Sequence, residues 1–439
     1  MPPKVHITPG VLVRDDRVQN IHPEVWDSDL TRYFPLDQFP LQMYFDKVPS
    51  GPPVGDVVLH WWEKPFNTLT GEIGGIFTDT ALSSAKSGNT SVGETLYIKP
   101  TTDDIVKVYN VRAGDQIEIW NSTNTAKVVG IVTAVYPGGS NAHFVITVID
   151  GAVAINGGTS PKIYWTVLGR TEEEVHELPE GLAEHETEYS NYVQTMTEAH
   201  EISLLEYTVD TRIMEDKKKE RELESLIRLY QRKEAACLDG IKYKAGTRYY
   251  AGGVRYFVSQ YAPTNVINWK TDTAFSSPTD NPVPDTLMFI ARVMQYLRTW
   301  DNPTQRKVMI TSAYVRSLLN ECVYNIPGRF YEISYETNRW GMPNILTLRG
   351  LDQELEIWEE PLFNVNEARK RCAYIINPEN IQRRYLKNGE LRQIPWSEPA
   401  NQDGATYTTA MKGGWTVSET YKIVKPNSFA ILENLGVAK

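Results

Sequence analysis

Between Ile202 and Asp239 the chain contains neither proline nor glycine, and Gly240 follows at once. No other stretch constrains the fold as strongly. An uninterrupted run of this length, closed by a glycine where a helix C-cap belongs, predicts one long helix near 201–239. Its second half carries Leu223, Leu226, Ile227 and Tyr230, then Cys237 and Leu238, spacings of three and four that fall on one helical face. The charged run Glu215 to Glu222 offers Glu215–Lys219 as an attractive i,i+4 pair and Asp216–Glu220 as a repulsive one. Acids interleave with Lys217, Lys218 and Lys219, so the run reads as a solvated face rather than a nucleic-acid-binding one.

The chain before that helix changes character several times. Residues 1–56 read as an arm. Pro2, Pro3, Pro9, Pro23, Pro35, Pro40, Pro49, Pro52 and Pro53 each remove a backbone donor and interrupt any helix or central strand. Trp26, Tyr33, Phe34, Phe39, Tyr44 and Phe45 nevertheless need burial, so the arm packs on something, either a neighbouring subunit or the body of its own chain. Residues 57–64 (VVLHWWEK) are strand-like, and alternation puts Trp61 and Glu63 on one face, His60 and Trp62 on the other. Core or interface packing explains that run better than a sugar platform. Gly, Ser and Thr dominate residues 71–93, which predicts a mobile, exposed excursion. From 94 to 170 short β-branched runs recur, separated by turn signals such as Ala113-Gly114-Asp115, Pro137-Gly138-Gly139 and Asn156-Gly157-Gly158. That spacing predicts an inserted small barrel or sandwich. An acidic linker, 171–191, leads back toward the helix.

Beyond Gly240 helix and strand alternate. A strand-and-loop region at 242–270 precedes a proline-rich hinge at 276–284, and Asp285 is placed to cap a helix through Trp300. KVMIT at 307–311 and AYIIN at 373–377 read as short buried strands, with Ser312 capping a helix to about Cys322. ILTLRG, ELEIWEE, and the C-terminal WTVSETYKIVKP and SFAILENLGV add further β segments. This alternation predicts an α+β or mixed-sheet domain.

Composition narrows the function. Hydrophobic residues at 41% and charged residues at 23% are ordinary for a globular chain and argue against disorder. The length leaves room for two or three domain-sized units. A net charge of −10 argues against chain-wide affinity for nucleic acid, yet is compatible with enclosing DNA without gripping it. Abundant aromatics, 11 Trp and 24 Tyr, suit subunit interfaces. Cys237, Cys322 and Cys372 lie far apart and read as reduced, buried thiols. No apolar run reaches membrane-span length and the N-terminus lacks a hydrophobic signal core, which predicts a protein made in the cytoplasm.

No GxSxG elbow, P-loop, HExxH or DxDxDG calcium loop occurs, and Gly71, Gly74 and Gly75 lack the lysine of a phosphate loop. His176, His185 and His200, with Glu184 and Glu186, are metal-ligand types, but their spacing puts no two on one defined face. The expectation is no catalytic site, no metal and no cofactor.

The order of elements carries a resemblance. A proline-rich aromatic arm, an extended loop, one long helix and a compact α+β region ending in strands together resemble the tailed-bacteriophage major capsid protein family. More narrowly the chain is similar to head proteins with a β-rich insertion in the extended loop. The supporting motifs are short: Val111-Arg112-Ala113-Gly114-Asp115 opening the insertion, Asn191-Tyr192-Val193-Gln194 before the helix, and a GGWxxSET pattern from Gly413 to Thr420 followed by Pro426. The resemblance implies an N-terminal arm at 1–56 and an extended loop at 57–195 with the β insertion at about 94–170. It places the spine helix and peripheral domain at 196–283, and an axial domain at 284–439 whose last strands return to the peripheral domain.

The resemblance also implies a structural subunit rather than an enzyme. Hexamers and pentamers would form an icosahedral shell around double-stranded DNA, in the virion and assembled in host cytoplasm, with no membrane involved. Portal, scaffold and decoration proteins are the further partners it implies. No position is assignable to a Lys–Asn cross-link, no charged coiled-coil region stands as a fused scaffold, and no propeptide loss is expected. The inter-subunit contact candidates are Trp26, Phe34, Phe39, Tyr44, Phe45, Trp61, Trp62 and Phe66. Two other readings compete. One is an encapsulin-like compartment shell. The other, of a different class, is a surface or carbohydrate-binding protein built on the β module, which should carry the export signal this sequence lacks.

Overall fold

Alternation of β-branched residues with polar ones does in the described residues of 94–170 what the sequence leads one to expect. The computed structural model describes residues 39–64, 69–102, 105–120, 126–151, 163–170, 186–203, 207, 217–277, 279–301, 306–325, 332–336, 345–350, 353–397 and 410–438. Its contacts divide the chain into two units, Trp62–Glu188 and the flanking Met1–Trp61 with Tyr189–Lys439.

The chain reaches the first of these units through strand β1 (Val58–Glu63). Then come β2 (Thr70–Phe77), β3 (Thr95–Pro100), β4 (Asp115–Trp120), β5 (Lys127–Tyr136), β6 (His143–Asp150) and β7 (Ile163–Arg170). The last six close into a barrel in the order β2-β3-β6-β5-β4-β7. Every second residue points inward, and Ile76, Leu96, Ile98, Ile117, Ile119, Phe144, Ile146 and Trp165 fill the interior with no exposed surface. Phe144 and Trp165 meet edge to face with ring centres 5.3 Å apart. The turn into β4 is built by Asp115, whose carboxylate accepts the Arg112 amide at 2.7 Å, and by Gly114 at a φ of 92°.

One expectation fails here. Thr70–Phe77 is no mobile excursion but the strand that closes the barrel, pairing with both β3 and β7. Its glycines, which weaken the alternating signal, answer close approach instead: a Cβ on Gly71 would lie 2.7 Å from the Trp165 indole, and one on Gly74 would lie 2.9 Å from the Pro100 carbonyl. Only residues 78–93 form a loop, and the Asp79 carboxylate folds it by accepting the amides of Ser83 and Ser84 at 3.0 Å each.

In the flanking unit, β8 (Thr187–Tyr192) pairs with β1, and β9 (Gln194–Ser203) comes next. The long helix, α2, is described from Lys217 to Asp239, and a short arm helix, α1 (Pro40–Lys47), precedes it in the chain. The expected helix start near 201 is therefore wrong. Buried Met196, Glu198, His200 and Ile202 alternate with exposed Thr195, Thr197, Ala199 and Glu201, a strand period that an absence of proline and glycine permits as readily as a helix. Gly240 does end the helix, though for close approach rather than a left-handed φ: a Cβ there would lie 2.6 Å from the Ala251 carbonyl and overlap that of Ala236.

After a hairpin of β10 (Tyr243–Ala245) and β11 (Arg248–Tyr250) come helix α3 (Val254–Tyr261) and β12 (Val266–Asn268). Helices α4 (Pro282–Leu297) and α5 (Ala313–Asn325) flank β13 (Lys307–Thr311). Helix α4 begins before Asp285, whose carboxylate instead holds the Asn281 amide at 2.7 Å. The remaining elements are β14 (Glu332–Glu336), β15 (Ile345–Gly350), β16 (Gln353–Glu359), α6 (Pro361–Val365), β17 (Ala373–Ile376), β18 (Ile381–Tyr385), β19 (Arg392–Ser397), β20 (Ala410–Ile423) and β21 (Ala430–Glu433). A seven-stranded mixed sheet runs β12-β21-β17-β13-β16-β15-β14, and β20 is the centre of a second sheet shared with β18, β19 and β9.

Both faces of the larger sheet are covered at β13, β16, β17 and β21, which is why β13 and β17 read as unbroken apolar runs. On one face Val308, Ile310, Tyr374 and Ile431 pack with α1, α3 and the end of α2. On the other, Met309, Ile375, Ile357 and Leu432 pack with α4 and α5.

Candidate assembly surfaces and the arm joint

Of the arm aromatics that the sequence leaves open between neighbour and body, the three that the structure describes, Phe39, Tyr44 and Phe45, pack on the body. Phe39, Tyr44 and Phe45 are 3–5% exposed, so the chain itself already covers the surface they would offer a neighbour. Phe39 stacks on Tyr230 of α2 at 6.4 Å, Tyr44 tilts against Trp358 at 5.8 Å, and Phe45 stacks on Tyr421 at 6.0 Å. Trp61 is equally buried, between Tyr189 and Phe257. Trp62, one residue on, points the other way and is 64% exposed. Trp26, Phe34 and Phe66 lie outside the described residues.

Polar groups grip helix α1 at both ends. At its start the amides of Leu41 and Gln42 donate to the two carboxylate oxygens of Glu234, at 3.0 and 3.1 Å. A carboxylate on the free amides of a first turn satisfies donors that helix geometry leaves open and meets the positive end of the helix dipole. At its end Arg383 donates to the Phe45 carbonyl at 2.8 Å and to the Asp46 carboxylate at 2.9 Å. Neither Glu234 nor Arg383 is a residue that the sequence singles out, because a charge buried for a distant partner looks like any other charge in a chain.

The short motifs sit around the same joint. Asn191 is fully buried, accepting the Gly252 amide at 2.7 Å and donating to the carbonyls of Gly252 and Tyr421 at 2.9 and 2.8 Å. It thus ties β8 to β20 and to the loop after the hairpin. Gly413 and Gly414 of the GGW pattern lie in β20 against β9, where a Cβ on Gly413 would overlap His200 Nε2 and one on Gly414 would sit 2.8 Å from the Glu198 carbonyl. Glu419 of the same pattern pairs with Lys233 of α2 at 3.4 Å, both essentially without exposure. The Tyr421 hydroxyl donates to Glu419 at 2.6 Å, and burial, reinforced by the Glu419 charge, holds its pKa well above the usual phenol range.

A serine meets a histidine here, and the geometry gives the pair a structural role. His200 Nδ1 lies 2.9 Å from Ser225 Oγ, but the hydroxyl donates to the Glu222 carbonyl at 2.8 Å. Its proton is spent, so Nδ1 must be the donor to it and cannot act as a base toward it. Burial also lowers the His200 pKa, although the Glu222 carboxylate opposes it. Among the described residues no group of three or more His, Cys, Asp or Glu is placed to hold a metal ion. Glu186 and His200 are described, while His176, Glu184 and His185 fall outside those residues.

Exposed apolar side chains mark the remaining surface. In the barrel unit Tyr136, Tyr164 and Leu168 are each 50% exposed. In the other unit the β10–β11 hairpin presents Tyr243, with Ile241 just before it and Tyr250 at its end. The sequence signal for that hairpin is short: a Gly246 turn at a φ of 58° between two tyrosine-rich runs.

Against known proteins, the family model described as SU10 major capsid protein matches residues 27–435. The chain belongs to the SU10 major capsid protein family. As a major capsid protein it is a structural component of a virion shell built from copies of itself. No curated protein matches. Among solved structures, a chain of Mycobacterium phage Bobi is similar at a TM-score of 0.43 and 7% identity, covering 97% of this chain and 99% of that one. The cyanophage A-1(L) capsid asymmetric unit gives 0.41 and 10%, covering 62% and 85%. The holo-SrpI encapsulin complex from Synechococcus elongatus PCC 7942 gives 0.39 and 10%, covering 58% and 78%. No described helix of this major capsid protein is long and apolar enough to cross a membrane.

Proposed function

We propose that this major capsid protein assembles as hexamers and pentamers into the icosahedral head of a tailed bacteriophage, enclosing double-stranded DNA without sequence-specific contact. The family match over residues 27–435 carries the reading, and the net charge of −10 supports a shell that DNA can slide within. In this reading 1–56 is the arm and 57–195 the extended loop bearing the barrel, 196–283 holds the spine helix and peripheral domain, and 284–439 is the axial domain. Shell stability is multivalent: each contact is weak, every subunit makes several at once, and closed symmetry makes loss of one subunit costly. Trp62 is the contact residue that the burial pattern favours, being large, aromatic and uncovered. Portal, scaffold and decoration proteins are the heterologous partners that belong with such a head, and host cytoplasm is where it would assemble.

Expression of the full chain, followed by mass photometry and negative-stain microscopy, tests this reading. Hexamers, pentamers or closed shells are expected. A chain that stays monomeric with crowding agents and with its candidate scaffold protein present overturns it.

A further inference from the structure

The carboxylate that seats the first turn of the arm helix does not stand alone. Glu360, between β16 and α6, comes within hydrogen-bonding reach of Glu234. Both side chains are 0% exposed. Glu360 Oε1 accepts the Leu362 amide at 3.0 Å, while Oε2 has no donor among the described residues. Two ionised carboxylates cannot share a dry site, and the donor missing at Glu360 Oε2 is supplied if one proton lies between the pair.

We propose that Glu234 and Glu360 form a proton-gated latch on the arm: sharing one proton, the pair lets Glu234 hold the Leu41 and Gln42 amides, and losing that proton frees helix α1 from α2. The consequence for assembly rests on the function proposed above, but the latch itself does not. Among the described residues its charged surroundings are few. On α2, Lys233 is paired with Glu419 of β20, Cys237 is a fully buried thiol, and Asp239 is held by Arg369 at 2.8 Å and by the Tyr374 hydroxyl at 2.6 Å. From β18, Arg383 is engaged with Asp46. Each nearby cation thus has its own carboxylate, which leaves the pair to be balanced by a proton.

Burial, then the Glu234 charge, pushes the Glu360 carboxyl well above the usual range, and burial raises Glu234 against the pull of the amides it accepts. The latched state binds a proton that the open state, with ordinary carboxyl pKa values, has released, so the latch is tightest at or below the ordinary carboxyl range. It weakens as pH rises from there through the pair's own titration.

Amide hydrogen exchange on the purified full-length chain, corrected for the intrinsic base-catalysed rate, reads this out. Over that window the opening constant of peptides spanning 39–48 should rise about tenfold per pH unit, with barrel peptides as the internal control. Glu360→Gln should flatten the slope, because its amide donates to Glu234 at every pH, and Cys237→Ala should leave it intact. If the wild-type slope is flat, or Glu360→Gln keeps it, the latch is wrong. The wild-type slope decides the matter even if a variant fails to fold. Because the readout is taken on unassembled chain, a failed assembly experiment and a failed latch are distinguishable.

Discussion

Lys233 lies in α2 with 1% exposure, and its partner Glu419 has none. Such a pair contributes little beyond what an apolar pair of the same shape would, yet removing one member strands the other charge. Lys233→Met alone should therefore lower stability by about 3–5 kcal/mol, and Lys233→Met with Glu419→Leu should recover most of that loss. Chemical denaturation of the two variants checks it, and equal losses would mean that the charges are not coupled. Single residues are the least legible scale in this sequence. Lys233 sits among other charges of an amphipathic helix, Glu234 is its immediate neighbour, and nothing local distinguishes them from the solvated Lys217 to Lys219 run. Their burial is imposed by β20 and the arm, elements far away in the chain.

Elements are more legible where their period is clean and less so where glycine or a missing breaker blurs it. The runs at 307–311 and 373–377 are buried strands as expected, and the turn-punctuated segment from 94 to 170 supplies five of the six barrel strands. Strand β2 is misread because its glycines serve packing against Trp165 and Pro100 rather than flexibility. The last residues of strand β9, 201–203, are misread as the start of the helix because a run free of breakers suits a helix equally well, although QTMTEAHEIS alternates apolar and polar residues. The β9–β20 pairing also makes a prediction. In Gly413→Ala the new methyl overlaps His200 Nε2, inside a site closed by the Trp396 ring at 4.3 Å, so the variant should lose on the order of 1–3 kcal/mol. Adding His200→Ala should restore part of it. Thermal unfolding of the single and double variants distinguishes this from a loss due only to the alanine's own strand preference.

At the scale of the whole molecule, the barrel-bearing excursion, the long helix and the mixed sheet are legible in that order, and so is membership of a major capsid protein family. What the arm aromatics touch is not, since neighbour and body are chemically equivalent destinations for a phenylalanine. The structure gives Phe39, Tyr44, Phe45 and Trp61 to the body and leaves Trp62 uncovered. Trp62→Ala should accordingly leave the melting temperature within about a degree or two of wild type, as surface changes do. It should weaken each contact by about 2 kcal/mol or more if Trp62 is an interface anchor, and mass photometry at graded concentrations would register the shift toward smaller species. Normal assembly would remove Trp62 from the interface. Finally, β1 and β8 are hydrogen-bonded neighbours, so the inserted unit has its two ends about 4.8 Å apart, one strand spacing. An insertion anchored in that way asks nothing of its host beyond two adjoining strands. Its lineage could thus acquire, exchange or discard such a module while the remainder of the gene drifted under separate selection.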